Sequence, residues 1–235
     1  MTTAASPAPA LAASGLVKTY GASTALAGVD FHVGRGESVA IMGASGSGKT
    51  TLLHCLAGIV APDTGSVVLS TAQGPLEVTG LNEAGRSRLR REAFGFVFQQ
   101  GLLLPELTAV ENVALPLMLT GVDRRAAEQT AAMWLAALGL AGFESRRIGQ
   151  LSGGQAQRVA IARAQTTGAA VVFADEPTGA LDSQTSTEVM DALIRSTTDR
   201  GRSLVVVTHD ETVAARCARL VRLADGRIVD EVSAR

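Results

Sequence analysis

A glycine-rich segment in the first quarter of the chain constrains the fold more than any other feature. It has the form Gly-x-x-x-x-Gly-Lys-Thr and occupies residues 43–50. An apolar run over residues 38–42 precedes it as a predicted strand, and residues 51–57 follow it as a predicted helix. In this context backbone N–H groups enclose phosphate oxygens, and the positive end of the helix dipole faces the same anion. The segment predicts a phosphate-binding loop in an α/β fold.

Two side chains of this loop have predicted chemical roles. Lys49 is placed to reach the β- and γ-phosphates of a nucleotide, and the hydroxyl of Thr50 is placed to hold Mg²⁺. The other loop residues are small, so the backbone can approach the phosphates closely. The residues predicted to bind the nucleotide here are Gly43, Ala44, Ser45, Gly46, Ser47, Gly48, Lys49, Thr50 and Thr51.

Composition limits the kinds of partner that this chain can have. With 235 residues, 46% of them hydrophobic, it is long enough for one or two globular domains. A net charge of −1 predicts no strong attraction to nucleic acid or to anionic lipid, so we expect no nucleic-acid partner. No apolar run approaches the roughly 18–20 residues that span a bilayer. The nearest, residues 131–143, is interrupted by Gly139 and Gly142. A membrane would be reached only through a partner.

The N-terminus and the cysteines give weaker indications. Residues 1–13 are rich in Ala, Pro, Ser and Thr and lack the basic start and apolar centre of a signal peptide, so we predict a disordered tail. Cys55 and Cys217 fit no metal spacing and are predicted to be reduced core residues rather than a disulfide, which suits the cytoplasm. The histidines His32, His54 and His209 form no metal-ligand pair by their spacing.

Periodicity divides the rest of the chain into an α/β core and a helical insertion. Residues 14–33 predict two strands, and strand-like runs return at 170–174 and 203–208. Residues from about 100 to 163, which precede the run at 170–174, have a mostly helical pattern. Helix starts are predicted at Thr108, Asp123 and Ser152, the first and last with a Glu or Gln three residues later. We predict one domain over residues 14–235, with its core at 14–99 and 164–235.

Two adjacent carboxylates follow an apolar run at residues 171–174. Such a run delivers Asp175 and Glu176 to the carboxyl edge of the sheet, where open α/β folds bind ligands. Asp175 is predicted to hold Mg²⁺, directly or through water, and Glu176 to polarise an attacking water. The alternative is an ordinary solvated loop, which the presence of the phosphate-binding loop disfavours.

A second glycine motif, Leu151-Ser152-Gly153-Gly154-Gln155, opens a predicted helix. A serine, two bare glycines and a helix start form another anion-binding nest, although a plain helix cap is the alternative interpretation. One nucleotide cannot easily use both nests of one chain, because the helical insertion separates them. We therefore predict a head-to-tail pair, in which each chain's Ser152–Gln155 segment covers the γ-phosphate on its partner's Lys49 loop.

Together these motifs make residues 14–231 resemble the nucleotide-binding subunit of an ABC transporter. The resemblance implies a RecA-like P-loop NTPase core, an N-terminal antiparallel β subdomain and an inserted α-helical subdomain. It implies ATP and Mg²⁺ as ligands, ATP hydrolysis coupled to transport, a second copy of the chain and an integral membrane permease as partners. The chain would then lie at the cytoplasmic face of the membrane, bound through the permease.

The same resemblance gives roles to further residues. Tyr20 matches the aromatic residue that stacks on adenine, with ordinary packing as the alternative. Gln99 matches the glutamine that reaches Mg²⁺ and the attacking water, although Gln100 is adjacent. Asp182 lies in the loop that crosses the dimer interface, and His209 matches the histidine that contacts the γ-phosphate.

Two segments of the sequence indicate which branch of the family the chain resembles. Residues 94–112 and 176–183 resemble the macrolide-exporter and lipoprotein-release branch, which implies export or mechanotransmission. A cell-division ATPase that signals to cell-wall hydrolases without moving a solute is the alternative. The chain departs from its relatives at Ile148, where proline is common, and over residues 165–170, which lack a common proline. Neither departure removes a phosphate-binding or catalytic group.

Overall fold

The computed structural model describes residues 8–99 and 101–233, which form two β-sheets and a set of packed helices. The strands are β1 (Leu11–Tyr20), β2 (Ser23–Val33), β3 (Ser38–Met42), β4 (Thr64–Thr71), β5 (Gly74–Glu77), β6 (Phe94–Phe98), β7 (Val171–Asp175), β8 (Ser203–Val207), β9 (Arg219–Ala224) and β10 (Arg227–Ser233). The helices are α1 (Lys49–Leu56), α2 (Glu83–Glu92), α3 (Ala109–Leu119), α4 (Arg124–Ala137), α5 (Gly153–Gln165), α6 (Ser183–Thr197) and α7 (Glu211–Ala214).

The larger sheet has six strands in the order β10-β9-β3-β8-β7-β6, and all neighbours except the β9–β10 hairpin pair in parallel. Strands β3 and β8 are buried at every residue, which suits their unbroken apolar sequences because both faces of a parallel sheet are covered. Side chains of alternating residues enter two separate cores. Val171 and Phe173 join the core with α1, and Val172 and Ala174 join the core with α3–α6.

The smaller sheet is antiparallel, in the order β2-β1-β4-β5. Its first strand begins at Leu11, so the predicted disordered tail over residues 1–13 is wrong for its last three residues. Leu11 pairs with Val33 and Leu69, and its side chain is fully buried, as Ala13 is to within a few per cent. Burial of this apolar face holds the segment in the sheet. Residues 1–7 of the tail lie outside the described part of the chain.

Helices α3, α4 and α5 lie between β6 and β7 in the sequence and pack against one another. The predicted N-caps are all present. Thr108 and Ser152 each form a capping box with the residue three positions later, and Asp123 accepts bonds from the first turn of α4. The proposed domain limits, with the helical part at about 100–163, stay a prediction. No helix of the described residues has the length and hydropathy needed to cross a membrane.

Both cysteines lie in the interior with free thiols. Burial raises the pKa of Cys55 to about 11 and that of Cys217 to about 12, so neither forms an appreciable amount of thiolate near neutral pH. They behave as small apolar core residues.

A buried polar network joins the end of α5 to the end of α6. The amide of Gln165 donates to the hydroxyl of Thr197 at 2.7 Å, and its carbonyl oxygen accepts from Arg202 at 2.9 Å. Gln165 and Thr197 are fully buried. The network supplies the hydrogen bonds that a glutamine needs in this interior position, in the segment where the sequence lacks the usual proline.

Replacing Gln165 by leucine should therefore destabilise the fold. The apolar side chain removes the hydrogen bonds of the Gln165 amide to Thr197 and Arg202, which keep only their bonds to backbone carbonyl oxygens. We expect a cost of about 1–3 kcal/mol. Thermal unfolding followed by circular dichroism measures the effect, and the exposed Gln184 of α6 provides the matched control as Gln184→Leu. Equal melting temperatures for Gln165→Leu and the wild type would show that the network adds nothing to stability.

Candidate active site

The motifs meet at the carboxyl edge of the six-stranded sheet. The glycine loop follows β3, Asp175 ends β7, and His209 follows β8, which lies between those two strands. The glycine loop and His209 border a cleft of about 640 Å³, whereas Asp175 itself does not line it and the next residue, Glu176, does. The residues that line it are Ala25, Gly43, Ala44, Ser45, Gly46, Gly48, Lys49, Thr50, Thr51, Glu176, Val207 and His209. The cleft has the size and polarity of a small-molecule site.

Two glycines of the loop are required by their surroundings. A Cβ atom on Gly43 would lie 2.1 Å from the carbonyl oxygen of Leu223, and one on Gly48 would lie 2.2 Å from that of Ala25. Gly48 also has a φ of 103°, a conformation that residues other than glycine rarely adopt. The loop can therefore fit between β2 and β9 only if both positions are glycine.

Lys49 begins α1 and is 9% exposed. Its ammonium group donates to the carbonyl oxygens of Gly43 and Ala44, both at 2.8 Å, and so lies across the loop. The helix has no side-chain cap at Gly48, which leaves its first N–H groups for another acceptor. The Ser47 hydroxyl is buried without a hydrogen-bond partner among the described residues. A cation, a helix N-terminus and an unused hydroxyl in one loop fit a bound phosphate group.

Asp175 and Thr50 form the part of the site suited to a hard cation. Burial raises the pKa of the Asp175 carboxyl, while the neighbouring His54 and Thr50 side chains act in the opposite direction. Within residues 8–99 and 101–233, no three His, Cys, Asp or Glu side chains converge as a metal-binding group. A hydroxyl and one carboxylate fit Mg²⁺, which is usually held by few protein oxygens together with phosphates and water.

Glu176 is held in an unusual backbone conformation. Its φ is 46°, in the left-handed region that side chains rarely adopt, and its N–H donates to the carbonyl oxygen of Val207 at 2.9 Å. Its carboxylate lies 2.8 Å from Nδ1 of His209, a side chain that is largely exposed to the cleft. Strain of this kind persists where the surroundings fix it, and here it directs a proton acceptor into the cleft.

Besides Ser47 and Asp175, three further predicted residues lie outside the cleft lining. Tyr20 ends β1 with its ring about half exposed and with the Lys18 ammonium 5.6 Å from the ring centre. The amide of Gln99 packs against Gly179, where a Cβ atom would meet its Nε2 at 2.9 Å. Asp182 caps α6 by accepting from Thr185 at 3.0 Å. Their predicted contacts with nucleotide stay predictions.

The second glycine motif also lies outside this cleft. Ser152 caps α5 through the N–H of Gln155 at 3.3 Å, and both Ser152 and Gly153 are exposed. Gly154 is buried, and a Cβ atom there would meet the methyl carbon of Thr185 at 2.5 Å. The motif is thus held by the helix cap and by the packing of Gly154 against Thr185, while Ser152 and Gly153 face solvent. It does not line the cleft around Lys49 of its own chain.

Sequence reasoning did not predict two cleft residues, Ala25 and Val207. Neither has a reactive side chain. Ala25 lies in β2, and its backbone touches the loop at Gly48. Only the approach of two distant segments brings them together, so no local motif could have indicated them.

A glycine loop between a parallel strand and a helix, with an acidic residue at the end of a nearby strand, defines a P-loop NTPase. The sequence pattern of the family described as "ABC transporter" matches residues 26–179, and the chain belongs to this family.

Among curated relatives, the chain is 46% identical over 226 residues to the macrolide export ATP-binding/permease protein MacB 1/2 of Paracoccus denitrificans, covering 94% of this chain and 33% of the relative. It is 45% identical over 218 residues to the lipoprotein-releasing system ATP-binding protein LolD of Geobacter metallireducens, covering 91% of this chain and 95% of the relative. The chain thus spans about a third of the MacB relative and nearly all of the LolD relative. The predicted branch of the family is confirmed.

Solved structures show the same fold. The dimeric structure of a post-hydrolysis state of the ATP-binding cassette MJ0796, bound to ADP and Pi, superposes with a TM-score of 0.86 at 37% identity, covering 96% of this chain and 99% of that one. The structure of cbiO1 from Clostridium perfringens, part of the transporter complex cbiONQ, gives 0.85 at 26% identity, covering 96% and 88%. The predicted fold class is confirmed.

Proposed function

We propose that this chain is the ATP-hydrolysing subunit of a membrane ABC transporter that exports or releases its substrate, working as a head-to-tail dimer at the cytoplasmic face of the membrane. The names of the MacB and LolD relatives support export or release over the cell-division alternative. Peptides, antibiotics, lipoproteins and haem are the substrate classes of this proposal. In catalytic terms it is a translocase, with ATP hydrolysis driving movement in a permease.

One observation supports the proposed head-to-tail dimer. The cleft around Lys49 is lined by residues of β2, the glycine loop, the start of α1, the end of β8 and the segments that follow β7 and β8, and the lining includes no part of Ser152-Gly153-Gly154-Gln155. That motif is nevertheless exposed and preorganised as a capped helix start. A second copy related by a two-fold axis would bring its motif to this open cleft, and the symmetry would complete both sites at once.

In the proposed site each group of the chain has one task. The loop and Lys49 bind the phosphates of ATP, Thr50 and Asp175 hold Mg²⁺, and Tyr20 stacks on adenine. Bound Mg²⁺ would neutralise charge on the phosphate oxygens. Glu176 accepts a proton from the attacking water, with His209 beside it to fix its orientation. The partner's motif excludes water and supplies N–H donors to the γ-phosphate.

A groove beside α3 is the proposed contact with the permease. It has a volume of about 340 Å³ and lies between β6 and α3. Its lining includes Phe96, Leu102, Leu115 and Leu119, and both Leu102 and Leu119 are exposed. Apolar side chains exposed in a groove favour the binding of an apolar segment of a partner protein.

Mixing two inactive variants tests the head-to-tail arrangement directly. Lys49→Ala removes the loop cation, and Gly153→Asp puts a negative charge where the partner's γ-phosphate would lie. A mixed dimer has one site with both lesions and one site with neither. An equal mixture should therefore recover up to about a quarter of the wild-type ATPase rate, while each variant alone stays inactive.

The control is a mixture of Lys49→Ala with Glu176→Gln, whose lesions both act at a chain's own loop. In the mixed dimer each site then carries one lesion, so this mixture should recover nothing. If Lys49→Ala with Gly153→Asp also recovered nothing, although both chains were folded and dimerised with wild type, the two motifs would not act across the interface.

A further inference from the structure

The turn that carries Gln99 is fastened to helix α5 at both of its ends. Before Gln99, the carbonyl oxygen of Phe98 accepts from Nε2 of the buried Gln157 at 3.0 Å. After it, the guanidinium group of Arg163 donates to the carbonyl oxygens of Gly101 and Leu102, at 2.6 and 2.7 Å. The backbone at Phe98, Gly101 and Leu102 is therefore held against α5.

Arg163 has no other strong partner in the part of the chain that the structure describes, where no carboxylate lies within ion-pair distance of it. Its environment is largely desolvated, which lowers the pKa of the guanidinium. The Arg163 guanidinium has two N–H groups in one plane, which suits two carbonyl acceptors. Both hydrogen bonds are charge-assisted and therefore strong, so they restrain the positions of the two carbonyl groups.

The backbone at this contact is itself unusual. Gly101 has a φ of 66° and Leu102 a φ of 44°, so two successive residues are left-handed and the second is a leucine. That conformation costs free energy and persists only where the surroundings hold it. The two bonds from Arg163 end on the carbonyl oxygens of these same two residues, and the N–H of Gly101 donates to the carbonyl oxygen of Phe98 at 2.9 Å.

The other end of α5 carries Ser152–Gln155, about 12–16 Å along the helix axis from Arg163 by the rise of an α-helix. In the proposed dimer this end serves the partner's nucleotide, whereas Gln99 serves the nucleotide of its own chain. We propose that Gln157 and Arg163 are positioning residues that tie Gln99 to α5, so that closure of one nucleotide site sets the geometry of the other. This proposal rests on the head-to-tail dimer and names the two side chains through which α5 positions Gln99.

The test is Arg163→Lys in the full chain, since lysine keeps the charge but cannot bond two carbonyls in one plane. ATP hydrolysis measured against ATP concentration should be cooperative in the wild type, with a Hill coefficient above 1 and bounded by the two sites. In Arg163→Lys the coefficient should fall to about 1, with a loss in kcat of about 10- to 100-fold from displacement of Gln99. Binding of a fluorescent ATP analogue to the single chain should stay unchanged, because Arg163 does not line the cleft.

Two further variants separate positioning from mere stabilisation. Arg158→Lys is the matched control, because Arg158 lies on the same helix but pairs with Glu188 on α6, and its Hill coefficient should remain that of the wild type. In a Gln99→Ala background, Arg163→Lys should cause no additional loss of kcat, because it acts through Gln99. If Arg163→Lys fails to fold, Gln157→Leu makes the same test at the other end of the turn.

Cooperative turnover that survives in folded Arg163→Lys would overturn the proposal, as would an additive loss in the double variant. A second variant separates a failure of this proposal from a failure of the proposed function. Glu176→Gln should hydrolyse ATP slowly and therefore accumulate as an ATP-bound dimer. If that dimer forms while Arg163→Lys stays cooperative, the head-to-tail pair stands and the coupling role is wrong. If no dimer forms, both are wrong.

Discussion

Glu176→Gln should lower the rate of ATP hydrolysis by about 10²- to 10⁴-fold while leaving ATP binding intact, the range expected when a proton acceptor is lost. The amide keeps the shape of the carboxylate and a hydrogen-bonding group next to His209, 2.8 Å away in the wild type. It cannot accept the proton of the attacking water. Single-turnover hydrolysis and equilibrium binding of ATP, measured on the same preparation, give the two quantities.

The same variant should accumulate as a dimer with ATP. In the proposed dimer, closure depends on the phosphates and on the partner's Ser152–Gln155 segment, and neither changes, so slow hydrolysis should leave the closed state populated. Size-exclusion chromatography with and without ATP measures it. Glu188→Gln removes an exposed carboxylate that pairs with Arg158 and should behave as wild type. Near-normal turnover by Glu176→Gln would remove Glu176 from its catalytic role.

The parts of the site that lie next to a strand end could be predicted from the sequence. Ser38–Met42 and Val171–Asp175 are mostly apolar runs too short for helices; the first leads into the glycine loop, and the second ends in Asp175 and is followed by Glu176. Parallel strands place such ends at one edge, so the glycine loop, Asp175 and Glu176 were expected together and lie together. Caps were equally predictable, because Thr108 and Ser152 bond to residues only three positions away.

Features that depend on distant segments were not predictable. The strand at Leu11–Tyr20 begins in an alanine-rich stretch with little local preference for a strand, and its pairing with Val33 and Leu69 decides the conformation. The left-handed φ of Glu176 follows from its bond to Val207, 31 positions later in the chain. The contact between Arg163 and Gly101 spans 62 positions. Sequence patterns report local geometry, and these features are set by the packing of whole elements.

Lys49→Ala should remove detectable ATP binding at concentrations that saturate the wild type. Lys49 is the cation of the glycine loop, and its ammonium already lies 2.8 Å from the carbonyl oxygens of Gly43 and Ala44, so little rearrangement is needed to meet a phosphate. Charge-assisted bonds to phosphate contribute about 1.5–3 kcal/mol each, and the β- and γ-phosphates each offer one. Losing two weakens binding by about two to four orders of magnitude.

Lys49→Arg distinguishes charge from geometry in this loop. Arginine keeps the positive charge, but its planar guanidinium is wider than an ammonium, and the loop lies close against the backbone of Leu223 and Ala25. We expect Lys49→Arg to bind ATP much more weakly than the wild type, with an unchanged melting temperature in the absence of nucleotide. Isothermal titration of each variant with ATP provides the measurement. Tight binding by Lys49→Ala would contradict the phosphate-binding role of the loop, because no other lysine or arginine lines this cleft in the described part of the chain.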